Sequence, residues 1–259
     1  MTQVTAAGSL RRRDRAIVAV GFAGVAALAW AWLVPVSLDM YGAMDGPSAW
    51  MMQARWDLRY GALIFLMWVV MMAAMMLPSA VPAILRLARA EESGPQTQAP
   101  ALRAYAFGGG YLLVWTAFSL AATLLQWGLA ELKLLSPMME AASPQLAGGI
   151  LIAAGLYQWT PLQRACLERC RAACRPSPQD PRLETATGAL RAGLAHGAAC
   201  LGCCWALMLL LFAGGVMSLA VIGAIALLVL LEKLVPFGPA IGRLAGAALF
   251  ATGVWLLLA

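Results

Sequence analysis

Residues 196–205 read HGAACLGCCW and hold the chain's one histidine together with three of its six cysteines. Drawn as an α-helix, the segment places His196, Cys200, Cys203 and Cys204 within an arc of about 100°. Imidazole and thiolate groups suit Cu(I) and Zn(II), whereas they suit Mg²⁺ and Ca²⁺ poorly. One buried cysteine is usually a small hydrophobic residue, but four soft groups on one face indicate a metal site. We expect His196, Cys200 and Cys203 as primary ligands and Cys204 as a supplementary one.

Methionines and one carboxylate are predicted to lie at the same depth as this face. The segment LIFLMWVVMMAAMMLPS (63–79) contains two pairs of methionines, and Met75 or Met76 is a candidate supplementary ligand. Buried methionines usually fill gaps in a core, yet thioethers beside thiolates favour Cu(I) over Zn(II). We therefore predict copper(I), with zinc as the second choice. Glu232 is expected to tune charge or relay protons, unless it only pairs with the neighbouring Lys233.

A second group of cysteines, Cys166, Cys170 and Cys174, has i, i+4, i+8 spacing and so lies on one edge of a helix. The capping pattern at Thr160, with Pro161 after it, predicts a helix near 161–175 at the inner surface. Four arginines interleave with the cysteines and are expected to lower the pKa of the thiols, which favours thiolates. The pattern fits a site for metal uptake or hand-off, although Cys174 fits equally well as a residue facing lipid.

The pair Cys200 and Cys203 also forms a C-x-x-C motif, which is typical of thiol–disulfide enzymes. A membrane thiol-disulfide oxidoreductase is therefore the alternative function. The inner side of a membrane is normally reducing, so permanent disulfides are not expected. A hydrolase finds no support, because no nucleophile-elbow or phosphate-binding glycine motif accompanies the one histidine. We favour a role outside catalysis.

Composition places these motifs in a membrane protein. The chain of 259 residues is 62% hydrophobic and only 12% charged, whereas about a quarter of the residues in a soluble chain are charged. Seven apolar runs approach the ~20 residues that cross a bilayer as a helix, and none alternates as a barrel strand does. We therefore predict an all-α bundle of about seven transmembrane helices, near residues 16–36, 60–81, 106–129, 145–160, 192–213, 216–232 and 240–258.

The basic residues predict the orientation of the bundle. With the N-terminus in the cytoplasm, only Arg55, Arg59 and Lys133 of the 18 lysines and arginines fall outside. The formal charge of +6 then reflects topology and lipid head groups, and it gives no reason to expect a nucleic-acid partner. The first run is longer than a usual signal-peptide core, so a retained anchor is favoured over a cleaved signal. A multi-pass protein of the inner membrane follows, with the metal ligands near its cytoplasmic face.

The chain divides into two expected regions. Residues 1–59 hold the basic tail, the first span and an outer loop. The methionines and aspartates of this loop could bind a soft cation outside the membrane, but we favour a segment that lies at the membrane interface. Residues 60–259 hold a six-span metal-binding membrane domain with the cysteine-containing helix near 161–175. The GxxxG spacings at Gly193/Gly197 and Gly238/Gly242/Gly246 predict close packing of helices.

Four motifs together carry a family resemblance. They are WVVMMAAMMLPS (68–79), AGLYQWTPLQRACLERCR (154–171), GLAHGAACLGCCWALMLLLFAGGVMSL (193–219) and EKLVPFG (232–238). The chain resembles, over about residues 60–258, the bacterial family of predicted metal-binding integral-membrane proteins catalogued as domain of unknown function twenty-one eighty-two. The resemblance implies a polytopic helical fold and a suspected metal site at Met75, Met76, Cys166, Cys170, His196, Cys200, Cys203, Cys204 and Glu232. The family does not regularly carry a cysteine at position 174.

These features predict a membrane protein that handles a soft metal, either by transport or by delivery to a partner protein. A transporter needs a polar route to the outer face, and beyond Met208 the fifth span offers only leucine and phenylalanine. That gap favours binding and delivery, with a metal-donor or metal-acceptor protein as partner and the lipid bilayer as surroundings. A purely structural subunit is the third interpretation.

Overall fold

The computed structural model describes residues 2–42, 49, 51, 56–87, 100–172, 183 and 185–259. In this part of the chain eight helices follow one another and no strand occurs, which confirms the all-α prediction there. Four candidates named from the sequence, Met44, Asp45, Met52 and Cys174, lie outside the described residues. The helices are α1 (Thr2–Met40), α2 (Leu58–Leu87), α3 (Pro100–Glu131), α4 (Pro144–Tyr157), α5 (Pro161–Ala172), α6 (Ala186–Gly214), α7 (Leu219–Leu234) and α8 (Gly238–Leu258).

Five of these helices are long and apolar enough to cross a membrane: α1 over Ala16–Met40, α2 over Leu58–Leu85, α3 over Ala101–Glu131, α6 and α8. Such helices indicate a membrane protein. The helices α4 and α7, which the sequence analysis counts as spans, have 14 and 16 residues. Both are shorter than the ~20 residues that span the hydrocarbon as a helix. By length and composition alone, five of the described helices qualify as spans, and the prediction of about seven is not confirmed.

Side-chain caps begin the helices that carry the cysteines. The hydroxyl of Thr160 accepts a hydrogen bond from the backbone N–H of Gln163 at 3.2 Å, and α5 starts at Pro161 as the capping pattern predicts. At the start of α6 the hydroxyl of Thr185 accepts from Gly188 N–H at 3.1 Å. Each cap satisfies an N–H group that the helix itself leaves unpaired.

A tryptophan compensates for a proline within α2. Pro78 has no N–H to donate to the carbonyl of Ala74, four residues earlier. The indole Nε1 of Trp30 in α1 donates to that carbonyl at 3.0 Å. An unpaired carbonyl in hydrocarbon is costly, so this contact joins α1 and α2 at the point where the helix lacks a bond.

Glycines bring the backbones of α3 and α6 together. A Cβ atom at Gly193 of α6 would meet the backbone of Phe107, and one at Gly110 of α3 would meet the α6 backbone. A Cβ atom at Gly197 would lie 3.0 Å from the side chain of Val114 in α3. One at Gly246 of α8 would lie 2.9 Å from the α4 backbone. The close packing predicted from the GxxxG spacings is therefore confirmed.

We predict that Gly110→Val destabilises the bundle, whereas Gly109→Val does not. A side chain at position 110 meets the α6 backbone, while nothing lies within 4 Å of a Cβ at position 109. Overpacking of this kind costs about 1–3 kcal/mol, so the thermal midpoint of the detergent-solubilised variant falls by several degrees. Equal midpoints for the two variants would show that α3 and α6 do not pack through Gly110.

Candidate metal centre

The sulfur of Cys200 lies at the meeting point of several helices. Cys200 is fully buried, and the Nζ of Lys233 in α7 donates to its Sγ at 2.8 Å. The hydroxyl of Tyr111 in α3 lies 3.1 Å from the same sulfur. An ammonium group beside sulfur stabilises the thiolate form that metals require. Cys200 is thus prepared to act as a ligand.

The last turns of α2 support both partners of Cys200. Lys233 Nζ also donates to the Ser79 hydroxyl at 2.9 Å, and that hydroxyl donates to the carbonyl of Met76 at 2.8 Å. The Tyr111 hydroxyl lies within donating distance of the same carbonyl, at 3.1 Å. The phenol has one proton, so it can serve either the carbonyl or the sulfur of Cys200. The network therefore ties α2, α3 and α7 to Cys200 of α6.

Three further thiols surround Cys200. Cys203 and Cys204, one turn along α6, donate to the Cys200 carbonyl at 3.1 and 2.9 Å. Cys170 of α5 is hydrogen-bonded to the side chains of Cys200 and Cys203. We call Cys170, Cys200, Cys203 and Cys204 the thiol cluster. Its four members are buried and free.

The thiol cluster is not a closed ligand shell. Among the residues that the structure describes, no three His, Cys, Asp or Glu are positioned to hold a metal ion. The reason is visible at Cys203 and Cys204, because both thiols bond to a backbone carbonyl rather than facing a shared point. The thiols are therefore gathered in one region without facing a common ligand position.

The predicted ligand His196 is buried one turn before Cys200 on the same helix. Its ring packs between those of Phe107 and Tyr111, with both centroid distances at 5.6 Å. Its Nδ1 atom is buried and has no hydrogen-bond partner. A buried nitrogen without a partner is costly, so this atom is available to a ligand. Tyr111 is the residue that connects His196 to the thiol cluster.

Three other predicted ligands occupy different surroundings. Met75 and Met76 are buried in α2, and Met76 reaches the network through its carbonyl oxygen. Glu232 does not pair with Lys233 as one interpretation of the sequence has it. Its carboxylate instead accepts from Gln158 Nε2 at 2.8 Å. Neighbouring helix residues point about 100° apart, so Lys233 faces the thiols while Glu232 faces α4.

The cysteines of α5 occupy two different environments. Cys166 is half-buried and lies against Gly202, where a Cβ atom would be 2.6 Å from its sulfur. Cys170 is buried, and its pKa is raised, chiefly because its thiol hydrogen-bonds to Cys200. The expectation that the arginines lower the pKa of this thiol is therefore wrong. Burial and neighbouring sulfur outweigh the arginine charges at Cys170.

Lys233, Tyr111 and Ser79 are site residues that the spacing of soft ligands does not reveal. A lysine inside an apolar run is a signal of function, but the sequence also allows Lys233 as a simple ion-pair partner of Glu232. Tyr111 and Ser79 carry no such signal, because a single hydroxyl in a membrane helix is common. Their roles become visible only when the helices are packed.

Comparison with known proteins gives the chain a family. Residues 65–256 match the family described as PpoB2, copper chaperone. The chain belongs to this family. The matched range contains all nine of the site residues predicted from the sequence, and it agrees with the metal-related family that the motifs resemble. No curated protein and no solved structure matches the chain significantly.

Membership of the copper-chaperone family supports copper handling. It gives no support to the thiol–disulfide alternative, and the cysteines of the thiol cluster are free rather than paired. Thiolates and thioethers are the ligand types that select Cu(I). Family and ligand chemistry therefore point to the same metal.

Arg171 of α5 fixes the end of α7 that carries Lys233. Its guanidinium donates to the carbonyls of Glu232, Val235 at 2.8 Å and Pro236 at 3.4 Å. The last carbonyls of a helix lack partners within it, and a basic side chain can satisfy them. The contact holds the turn with Lys233 against the helix with Cys170.

We predict that Arg171→Gln weakens copper binding and lowers the thermal midpoint. Hydrogen bonds to a charged group are worth about 1.5–3 kcal/mol each, so a loss of about tenfold in copper affinity is expected. Competition with a chromophoric Cu(I) chelator measures the affinity. The control is Arg169→Gln on the same helix, where the side chain is exposed. Equal effects of the two variants would mean that Arg171 acts only through its charge.

Proposed function

We propose that the protein is a multi-pass copper chaperone of the inner membrane that holds Cu(I) on the thiol cluster and delivers it to a partner protein. The observation that carries the proposal is the gathering of three buried thiols and an ammonium group around the buried side chain of Cys200. The copper-chaperone family supports the identity of the metal. Nothing in this role needs nucleic acid.

The ligands are assigned among the thiol cluster and the soft groups near it. We propose Cys200 and Cys203 as the first two ligands, with Cys204 and Cys170 as the thiols that join or replace them. His196 offers its unpaired Nδ1. Met75 and Met76 are proposed as supplementary thioether ligands. Cu(I) is favoured over zinc because thioethers are among the available donors.

Lys233 balances the charge of the loaded site. One Cu(I) ion on two thiolates carries a single negative charge, and a buried charge is costly unless it is paired. The ammonium of Lys233, 2.8 Å from Cys200, supplies the matching positive charge. Because the ammonium already stabilises Cys200 as a thiolate, loading releases the proton of the second thiol while the ammonium stays, and unloading returns that proton.

The helix α5 is proposed as the hand-off element. Cys166 is half-buried and Cys170 is buried within the thiol cluster. A metal ion can therefore pass from the more accessible sulfur of Cys166 to the cluster by exchange of thiol ligands. Glu232, bonded to Gln158 on the α4 side, is proposed as the group that takes up or returns the protons.

The proposed topology places the N-terminus and α5 in the cytoplasm, because most of the basic residues then lie inside. In this arrangement the short helices α4 and α7 are the two further spans that bring the proposed number to seven. The turns before and after each of them lie in the head-group region and cover the rest of the membrane thickness. The thiol cluster lies near the cytoplasmic face. Copper is thus taken up from the cytoplasm.

We expect purified protein, kept reduced and anaerobic, to contain about one copper per chain, and Cys200→Ser/Cys203→Ser to contain none. A hydroxyl is a poor ligand for Cu(I), since soft sulfur is what selects this ion. Metal analysis of the detergent-purified chains measures the content. The control Ala198→Ser/Ala199→Ser adds the same hydroxyls to the same turn of α6 and retains the copper. A wild-type protein that neither contains nor takes up copper would overturn the proposal.

We expect Lys233→Leu to lower copper affinity by about tenfold to a hundredfold, because a charged hydrogen bond of about 1.5–3 kcal/mol is lost from the loaded site. The variant Lys233→Arg retains the positive charge and recovers part of the affinity. The chelator competition assay reports both values. If Lys233→Leu binds copper as tightly as the wild type, the ammonium does not balance the charge of the site.

A further inference from the structure

Methionine is concentrated in the interior of the bundle well beyond the thiol cluster. Ten methionine side chains are at most 4% exposed. Methionine fills gaps in many cores, but its thioether is also a neutral ligand selective for Cu(I). The ten are Met40, Met51, Met67, Met71, Met72, Met75, Met76, Met139, Met208 and Met217.

Five of these methionines follow α2 away from the thiol cluster. Met67, Met71 and Met75 are four residues apart and fall within about 80° of arc, with about 6 Å of rise between neighbours. Met72 and Met76 extend the arc to about 180°, so the five methionines cover half of the helix circumference. The hydroxyl of Tyr111 lies within hydrogen-bond distance of both the Met76 carbonyl and the Cys200 sulfur. The five methionines therefore extend about 13 Å along α2 from the turn that contacts this hydroxyl.

The helix α6 carries one buried methionine within the depth of this series. Met208 is eight residues beyond Cys200, which is about 12 Å along the helix. One turn further, the ring of Phe212 contacts that of Trp68 with centroids 5.4 Å apart. Because Trp68 adjoins Met67 in α2, Met208 and Met67 lie within about two helical turns of each other in depth.

The remaining methionines lie where this course ends. The carbonyl of Met139 accepts from Val216 N–H at 3.3 Å, next to the buried Met217. Met139 has a left-handed backbone, with φ at 58°, which is uncommon for a residue with a side chain. A Cβ at Gly215 would lie 3.6 Å from the carboxylate of Glu140. The end of the course therefore carries thioethers and a carboxylate, and both attract Cu(I).

We propose that these buried methionines form a path along which Cu(I) passes from the thiol cluster to the opposite end of the bundle, where an acceptor protein takes it. The inference rests on the proposed function, because the thiol cluster loads the path. It gives the protein a transport step in addition to storage and delivery. The acceptor therefore meets the chaperone at the end near Met139 and Met217, away from the cytoplasm.

The passage is a series of ligand exchanges without redox change. Copper remains Cu(I), and each step forms one Cu–S bond as another breaks. The thioethers are neutral both with and without the ion. No side chain along the path is therefore left with an unpaired charge when the ion moves on. At the thiol cluster Cys200 stays a thiolate beside the ammonium of Lys233, and the second thiolate regains the proton that it released on loading. The carboxylate of Glu140 meets the positive charge at the far end.

Proteoliposomes of the full-length protein test the path. Ascorbate-reduced Cu(I) is supplied outside, and a membrane-impermeant chromophoric Cu(I) chelator is trapped inside. The variant Met67→Leu/Met71→Leu/Met208→Leu removes three sulfurs with little change of volume. We expect its copper content to equal that of the wild type, while copper passage falls at least about tenfold, because hydrocarbon offers a cation no substitute ligand.

The matched control Ile64→Leu/Leu77→Ile/Ile84→Leu repacks fully buried positions of α2 without touching sulfur, and it retains passage. Single variants Met71→Leu and Met208→Leu are measured alongside and decide the result if the triple variant fails to retain copper. The proposal is overturned if the methionine variants pass copper as fast as the wild type. It is also overturned if wild-type protein holds copper but passes none to the trapped chelator. Wild-type protein without copper would instead refute the proposed function.

Discussion

The contact between Lys233 and Cys200 is the constraint on which the rest of the site depends. An ammonium group inside an apolar bundle is costly unless strong acceptors surround it. The sulfur of Cys200 and the hydroxyl of Ser79 provide them at 2.8 and 2.9 Å. Tyr111 then holds the sulfur, and Arg171 holds the turn that carries the lysine. Removing the ammonium would leave a polar network without the charge that organises it.

The interior changes character along the bundle axis. At one end it holds four thiols, an ammonium group and hydroxyls, which are groups that exchange protons and charge. Beyond them the buried residues are mostly apolar, with many thioethers and aromatic rings. The hydrogen bond from Trp68 Nε1 to the Gln126 side chain, at 2.7 Å, is one of the polar contacts at that depth. A metal ion that forms an anionic complex with thiolates at the first end would therefore form a cationic complex with thioethers at the second.

The spacing of residues in the sequence predicted those features of the site that involve one helix only. The one-sided arrangement of His196 and the cysteines on α6, and the start of α5 at Pro161, follow from periodicity and capping within a few residues. What depends on contacts between helices could not be predicted. Adjacent residues Glu232 and Lys233 point to different neighbours, and no local pattern says which one faces the thiols. The raised pKa of Cys170 likewise comes from sulfur atoms on another helix, which outweigh the arginines beside it in sequence.

The backbone carbonyl of Cys200 favours the empty form of the site. The same residue that offers the central sulfur also accepts hydrogen bonds from the thiols of Cys203 and Cys204, at 3.1 and 2.9 Å. A thiol that binds a metal ion gives up its bond to this carbonyl, and release of the ion restores the bond. Each such bond therefore lowers the affinity for the ion and makes its removal by a partner protein easier.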